Sequence, residues 1–193
     1  MLCSTSRCYG GVAQSFHWIV AGGVVVMYAL GLYMTGLDYH HPWYQGAPAL
    51  HKSLGVLLFV VIALRLAWAV YDSRPVPLDT HSALERTLAW VVRFGLYALL
   101  VLIPLSGYLI STADGRSIDV FGWFQVPALL SGLPNQEDAA GEVHEVLAHA
   151  LIILAGLHAL AALKHHVFDH DDTLRRMTSM PLRSASPAEG DPR

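Results

Sequence analysis

Cysteine is scarce in this chain, with two residues, Cys3 and Cys8, among 193. Both precede the first apolar run, and their C-x4-C spacing has no further cysteines to complete an iron–sulfur or zinc set. They read as incidental thiols of a reducing compartment. No C-x-x-C-H occurs, so a covalently attached haem is not indicated. Charge is sparse as well, at 14% of residues with a formal net charge of -3. No basic stripe interleaved with aromatics is present, which sets nucleic acid aside as a partner. No internal repeat is evident. No small-x-small cleavage site follows the first apolar run, which at about 20 residues is longer than a signal h-region, so it reads as a retained span.

What the chain has is apolar length. At 54% hydrophobic residues and positive mean hydropathy, it reads as an integral membrane protein. Four segments reach the span length of about 20 residues: Phe16 to Thr35, Lys52 to Tyr71, Thr87 to Ser111 and Val143 to Lys164. The breaks between them are rich in turn formers. A short interfacial helix is expected around Val120 to Leu130, with Trp123 and Phe124 at headgroup level. The expected fold class is an all-α membrane protein, a four-helix transmembrane up-down-up-down bundle. Its domain is expected over residues 1–180, followed by a flexible cytoplasmic tail, 181–193. With the N-terminus inside, Arg7, Arg65, Arg74, Arg86, Arg93, Lys164, Arg175, Arg176, Arg183 and Arg193 fall on the inner side, and only Lys52 and Arg116 fall outside. That excess places both termini in the cytoplasm and suits a bacterial inner membrane. Pro104 and Gly107 are expected to bend the third span, which membrane helices tolerate.

The fourth segment carries histidines where lipid penalises them. His144 and His158 are 14 residues apart, which is about 21 Å of rise and about 40° short of four turns, so both leave one helix face at different depths. His17 opens the first segment at the level of His158, and His51 opens the second at the level of His144. Crossed pairings would have to bridge about 20 Å along the membrane normal, so depth selects His17 with His158 and His51 with His144. Two imidazoles facing each other from neighbouring helices suit the two axial positions of a haem iron, and the pairs do not match a zinc site's ligand count. Arg65, 14 residues after His51, is either a partner for a haem propionate or a side chain snorkelling to headgroups. His149, about 140° around the helix from His144, contacts another helix or a quinone headgroup.

The stretches SFHWIV, HKSLGVLLFVVIALRLAW, IPLSGYLIS, VHEVLAHALIILAGLHALAALKHHVF and DDTLRRM resemble the bacterial di-haem cytochrome b561 family, over roughly Gln14 to Pro181. The resemblance implies that His17, His51, His144 and His158 are axial ligands of two b-type haems. It further implies a cytoplasmic-membrane protein passing electrons between haems and the quinone pool, with ubiquinone as substrate. Some members oxidise superoxide at the outer face. An anionic donor is helped by positive charge, yet the outer segments are net acidic, and only Lys52, beside His51, is a local attractor. A redox protein is the other donor expected. Two readings stand beside this one: a haem-bearing membrane anchor subunit of a dehydrogenase or hydrogenase, and a transporter or structural bundle without haem.

Overall fold

The computed structural model describes residues 2–73, 75–76 and 82–178. The tail expected over 181–193, together with Arg74, His81, Arg183 and Arg193, lies outside the described residues. Four long helices dominate: α1 (Gly11–Thr35), α2 (Gly46–Tyr71), α3 (Ala83–Ser111) and α4 (Gln136–Val167). Each is long and apolar enough to cross a membrane. Their outward faces carry side chains such as Val25, Val60, Leu64, Phe94, Ile153 and Leu160, all exposed, as a lipid-facing surface requires.

The helices start earlier than the apolar runs because helix formation does not require apolar side chains. In α4 the first turn holds Glu137 and Asp138, which the positive end of the helix dipole favours. The start of α3 is a capping box: the Ser82 hydroxyl accepts from the Glu85 N–H at 3.2 Å, and the Glu85 carboxylate accepts from the Ser82 N–H at 2.8 Å.

Between α3 and α4 the expected interfacial helix is absent. An antiparallel hairpin stands there instead, β1 (Ile118–Val120) paired with β2 (Phe124–Val126). Phe121 and Gly122 both adopt positive φ, 53° and 71°, and the Trp123 N–H closes the turn on the Val120 carbonyl at 2.9 Å. Two left-handed residues in succession make a hairpin turn and interrupt a helix. Alternating β-branched residues and Pro127 work in the same direction. Ile118 and Val120 are buried, while Trp123 is 73% exposed. The Ser53 hydroxyl donates to the Asp119 carbonyl at 3.3 Å and so ties the hairpin to the start of α2.

α1 packs along α2, and α3 along α4, as two close pairs, whereas α1 and α4 touch only briefly. One residue from each helix, Val20, Ile62, Leu100 and Leu151, forms the buried centre. Alternating helix direction is visible at one end, where the start of α1 and the ends of α2 and α4 converge. There the Trp18 indole donates to the Met177 carbonyl at 2.9 Å and the Tyr9 N–H to the Arg176 carbonyl at 3.2 Å. Asp72 accepts from the Ser4 hydroxyl, from the Ser4 N–H at 2.9 Å and from the Trp68 indole at 3.2 Å. A Cβ on Gly10 would fall 2.2 Å from the Leu2 carbonyl oxygen, so glycine is required for this crossing. Lys164 joins α4 to the start of α3, lying 2.6 Å from Asp169 and 3.6 Å from Glu85.

Candidate functional site

The rings of His51 and His144 lie 6.2 Å apart between centroids, with an interplanar angle of 73°. Those of His17 and His158 lie 6.4 Å apart at 67°. Both pairings expected from depth are therefore side-chain neighbours. The helices behind them differ from expectation in one respect. α2 and α4 face each other across the bundle diagonal and are not close neighbours, so His51 and His144 reach toward each other through the interior.

His144 is held from α3. Its Nδ1 lies 3.0 Å from the Ile103 carbonyl and 3.1 Å from the Ser106 hydroxyl. A carbonyl only accepts, so Nδ1 carries the proton and Nε2 has a free lone pair. This is the arrangement by which proteins orient a ligating histidine. Gly107 lies against the same ring: a Cβ there would come 3.2 Å from His144 Cε1 and 3.4 Å from Nδ1. On the other ring, His51 Nδ1 is buried with no hydrogen-bond partner among the described residues, and a Cβ on Gly31 would come 3.5 Å from its Cε1.

The second pair has a charged neighbour. Arg65 Nη2 lies 3.2 Å from His17 Nδ1, and its guanidinium sits 5.5 Å from the centre of the Tyr97 ring. A guanidinium only donates, so Nδ1 accepts here and the ring proton sits on Nε2. Ligation of a metal through His17 Nε2 therefore requires Arg65 to leave Nδ1. The expectation that Arg65 lies at the level of His17 matches this contact.

Lys52 is exposed and lines a cleft of about 490 Å³ with Ser53, Ser111, Asp114, Arg116 and Asp119. Arg116 is paired with Asp114 at 2.8 Å, which leaves Lys52 and Asp119 as the other charged groups of the cleft. His149 donates from Nδ1 to its own-helix Glu145 carbonyl at 2.8 Å and meets Tyr28 of α1 edge-on, with centroids 5.7 Å apart.

Ile103, Ser106 and Tyr97 are the contributors that sequence reading misses. The stretch IPLSGYLIS points to two of them, but there Gly107 reads as a helix bend and not as the space that His144 needs.

Comparison with known proteins gives a consistent result. A family model described as prokaryotic cytochrome b561 matches residues 8–180. "Cytochrome b561 homolog 2" of Escherichia coli (strain K12) is 47% identical over 174 residues, covering 90% of this chain and 93% of the relative. "Probable superoxide oxidase CybB" of Yersinia pestis is 28% identical over 171 residues, covering 88% and 94%. "Cytochrome b561 homolog 1" of Escherichia coli (strain K12) is 29% identical over 169 residues, covering 86% and 93%. The chain belongs to the prokaryotic cytochrome b561 family, multi-pass membrane proteins that bind b-type haem and transfer electrons.

Proposed function

We propose that this chain is a di-haem cytochrome of a bacterial inner membrane, with both termini cytoplasmic, passing electrons from a donor at the outer, His51 end to the quinone pool. In this reading His51 and His144 hold one b-type haem, and His17 and His158 hold the other. The observation that carries it is the pair of ring separations, 6.2 and 6.4 Å, at two levels of one helix. Two imidazoles flanking one metal stand roughly 6 Å apart between centroids, given metal–nitrogen bonds of about 2 Å and a ring radius of about 1 Å. The separations match that requirement at both levels. The unpartnered Nδ1 of His51 and the glycines beside His51 and His144 add to the fit.

When bound, haem would supply a one-electron iron centre, held by two histidines at each level, and the chemistry would be outer-sphere electron transfer. The chain's own residues hold and tune that centre. Ile103 and Ser106 fix the tautomer and plane of the His144 ring. Arg65, released from His17, would hold a propionate through its fork of donors. Val20, Ile62, Leu100 and Leu151 form a dry layer within the bundle that keeps water from the electron path. Lys52 offers an anionic donor, superoxide among them, a local positive group in an outer cleft that Asp119 also lines. The relative from Yersinia pestis, a probable superoxide oxidase, supports that choice of donor.

Haem analysis with reduced-minus-oxidised spectra on the wild type, His17→Ala and His144→Ala tests the assignment. Each substitution is expected to remove a different haem. Two normal bis-histidine haems retained in both variants would overturn it.

A further inference from the structure

We infer that Tyr28 and His149 form a binding site for the headgroup of a lipophilic quinol, open to the membrane between α1 and α4. The inference rests on the quinone part of the preceding reading and gives the reduced product of that electron transfer a place in the fold.

Tyr28 lies about 16 Å along α1 from His17, and His149 about 13 Å along α4 from His158. The two therefore meet between the levels of the histidine pairs, within the apolar spans, and their rings are in edge-on contact. His149 is exposed there. On its own helix face it is flanked by Val146 and Ile153, which are 67% and 63% exposed, so the imidazole stands in a lipid-facing stripe. An imidazole in that setting is costly and marks a functional site.

The hydrogen bonding defines the ligand. His149 Nδ1 donates to the Glu145 carbonyl at 2.8 Å, which fixes the ring proton on Nδ1 and leaves Nε2 as an acceptor only. The Tyr28 hydroxyl has no hydrogen-bond partner among the described residues. An acceptor beside a donor is satisfied by one hydroxyl group that donates to Nε2 and accepts from the phenol. At this depth water does not supply that hydroxyl, and a molecule dissolved in the lipid does. A quinol offers a hydroxyl on a flat ring with an apolar tail. The oxidised quinone offers only acceptors and leaves Nε2 unsatisfied. The site therefore selects the reduced form.

The test is anaerobic binding of decylubiquinol and decylubiquinone to the haem-loaded full chain in lipid nanodiscs. The wild type is expected to bind the quinol more tightly than the quinone. Tyr28→Phe and His149→Leu are each expected to weaken quinol binding by about tenfold, with unchanged haem content and spectra. His149→Gln, which keeps an acceptor, is expected to recover part of the loss. Unchanged quinol binding in Tyr28→Phe and His149→Leu would overturn this site alone, provided the wild type binds. Loss of haem from Tyr28→Phe would overturn it too, by making the pair part of a haem pocket. A haem-loaded wild type that binds neither form would overturn the quinone part of the preceding reading together with this site.

Discussion

Gly107→Ala separates the histidine site from the fold. In a helix interior alanine is favoured over glycine by about 1 kcal/mol, so α3 gains from the change. Against that, the new methyl would stand 3.2 Å from His144 Cε1 and 3.4 Å from Nδ1, closer than side-chain carbons normally approach. The ring has little freedom to retreat, because Nδ1 is bound to Ile103 at 3.0 Å and Ser106 at 3.1 Å. A displacement of about 0.3 Å takes the carbonyl bond beyond the usual range of about 2.7 to 3.2 Å. The loss is part of a bond worth about 0.5 to 1.5 kcal/mol, so fold stability changes by no more than about 1 kcal/mol in either direction. Disturbing the group that orients a ligating histidine costs roughly tenfold to a hundredfold in affinity. The expected protein folds as well as the wild type yet loses haem from the His51 and His144 level. Pyridine haemochrome assays and thermal unfolding of the purified protein read the two effects separately. Gly22→Ala is the control, since a Cβ there meets nothing within 4 Å, and it should keep its full haem content. A Gly107→Ala protein with unaltered haem content and spectrum, or one that loses the His17 and His158 haem instead, would refute the reasoning.

Gly10→Ala should destabilise the end where the termini meet by about 1 to 3 kcal/mol, because its Cβ would strike the backbone of Leu2 and Cys3; thermal unfolding in detergent measures this. Burial raises the Asp72 carboxyl pKa, but hydrogen bonds from Ser4, Trp68 and Ser73 outweigh that and hold it below its ordinary 3.8. Its contribution to stability is complete at neutral pH, declines as pH falls through 3.8 and is gone below the folded value. Asp72→Asn should therefore flatten the acid limb of the wild type's stability-versus-pH curve. Lys52→Ala should slow electron uptake from an anionic donor severalfold and weaken its salt dependence; stopped-flow haem reduction at two ionic strengths reads both effects.

The four spans and the two levels of histidine were legible because they depend on apolar run length and rise per residue, which are properties of the chain alone. Depth pairing of His17 with His158 and of His51 with His144 follows from the same arithmetic. Azimuth does not. Whether α2 lies beside α4 or across from it depends on how Val20, Ile62, Leu100 and Leu151 pack, and no single segment encodes that. The hairpin at Ile118–Val126 was missed because short apolar stretches fit a helix or a strand equally well, and the positive φ of Phe121 and Gly122 decides between them. The contacts of His144 with Ile103 and Ser106 were missed for a related reason. A backbone carbonyl facing a ring leaves no mark on sequence.

Each histidine pair draws one ring from the α1–α2 unit and the other from the α3–α4 unit, and those units touch each other less than their own members do. Whatever joins the rings is also a rivet across the seam of the molecule. If the pairs hold haem as proposed, the groups that carry the electrons would also clamp the two helical hairpins together, so that losing either group would loosen the whole bundle and not its own site alone.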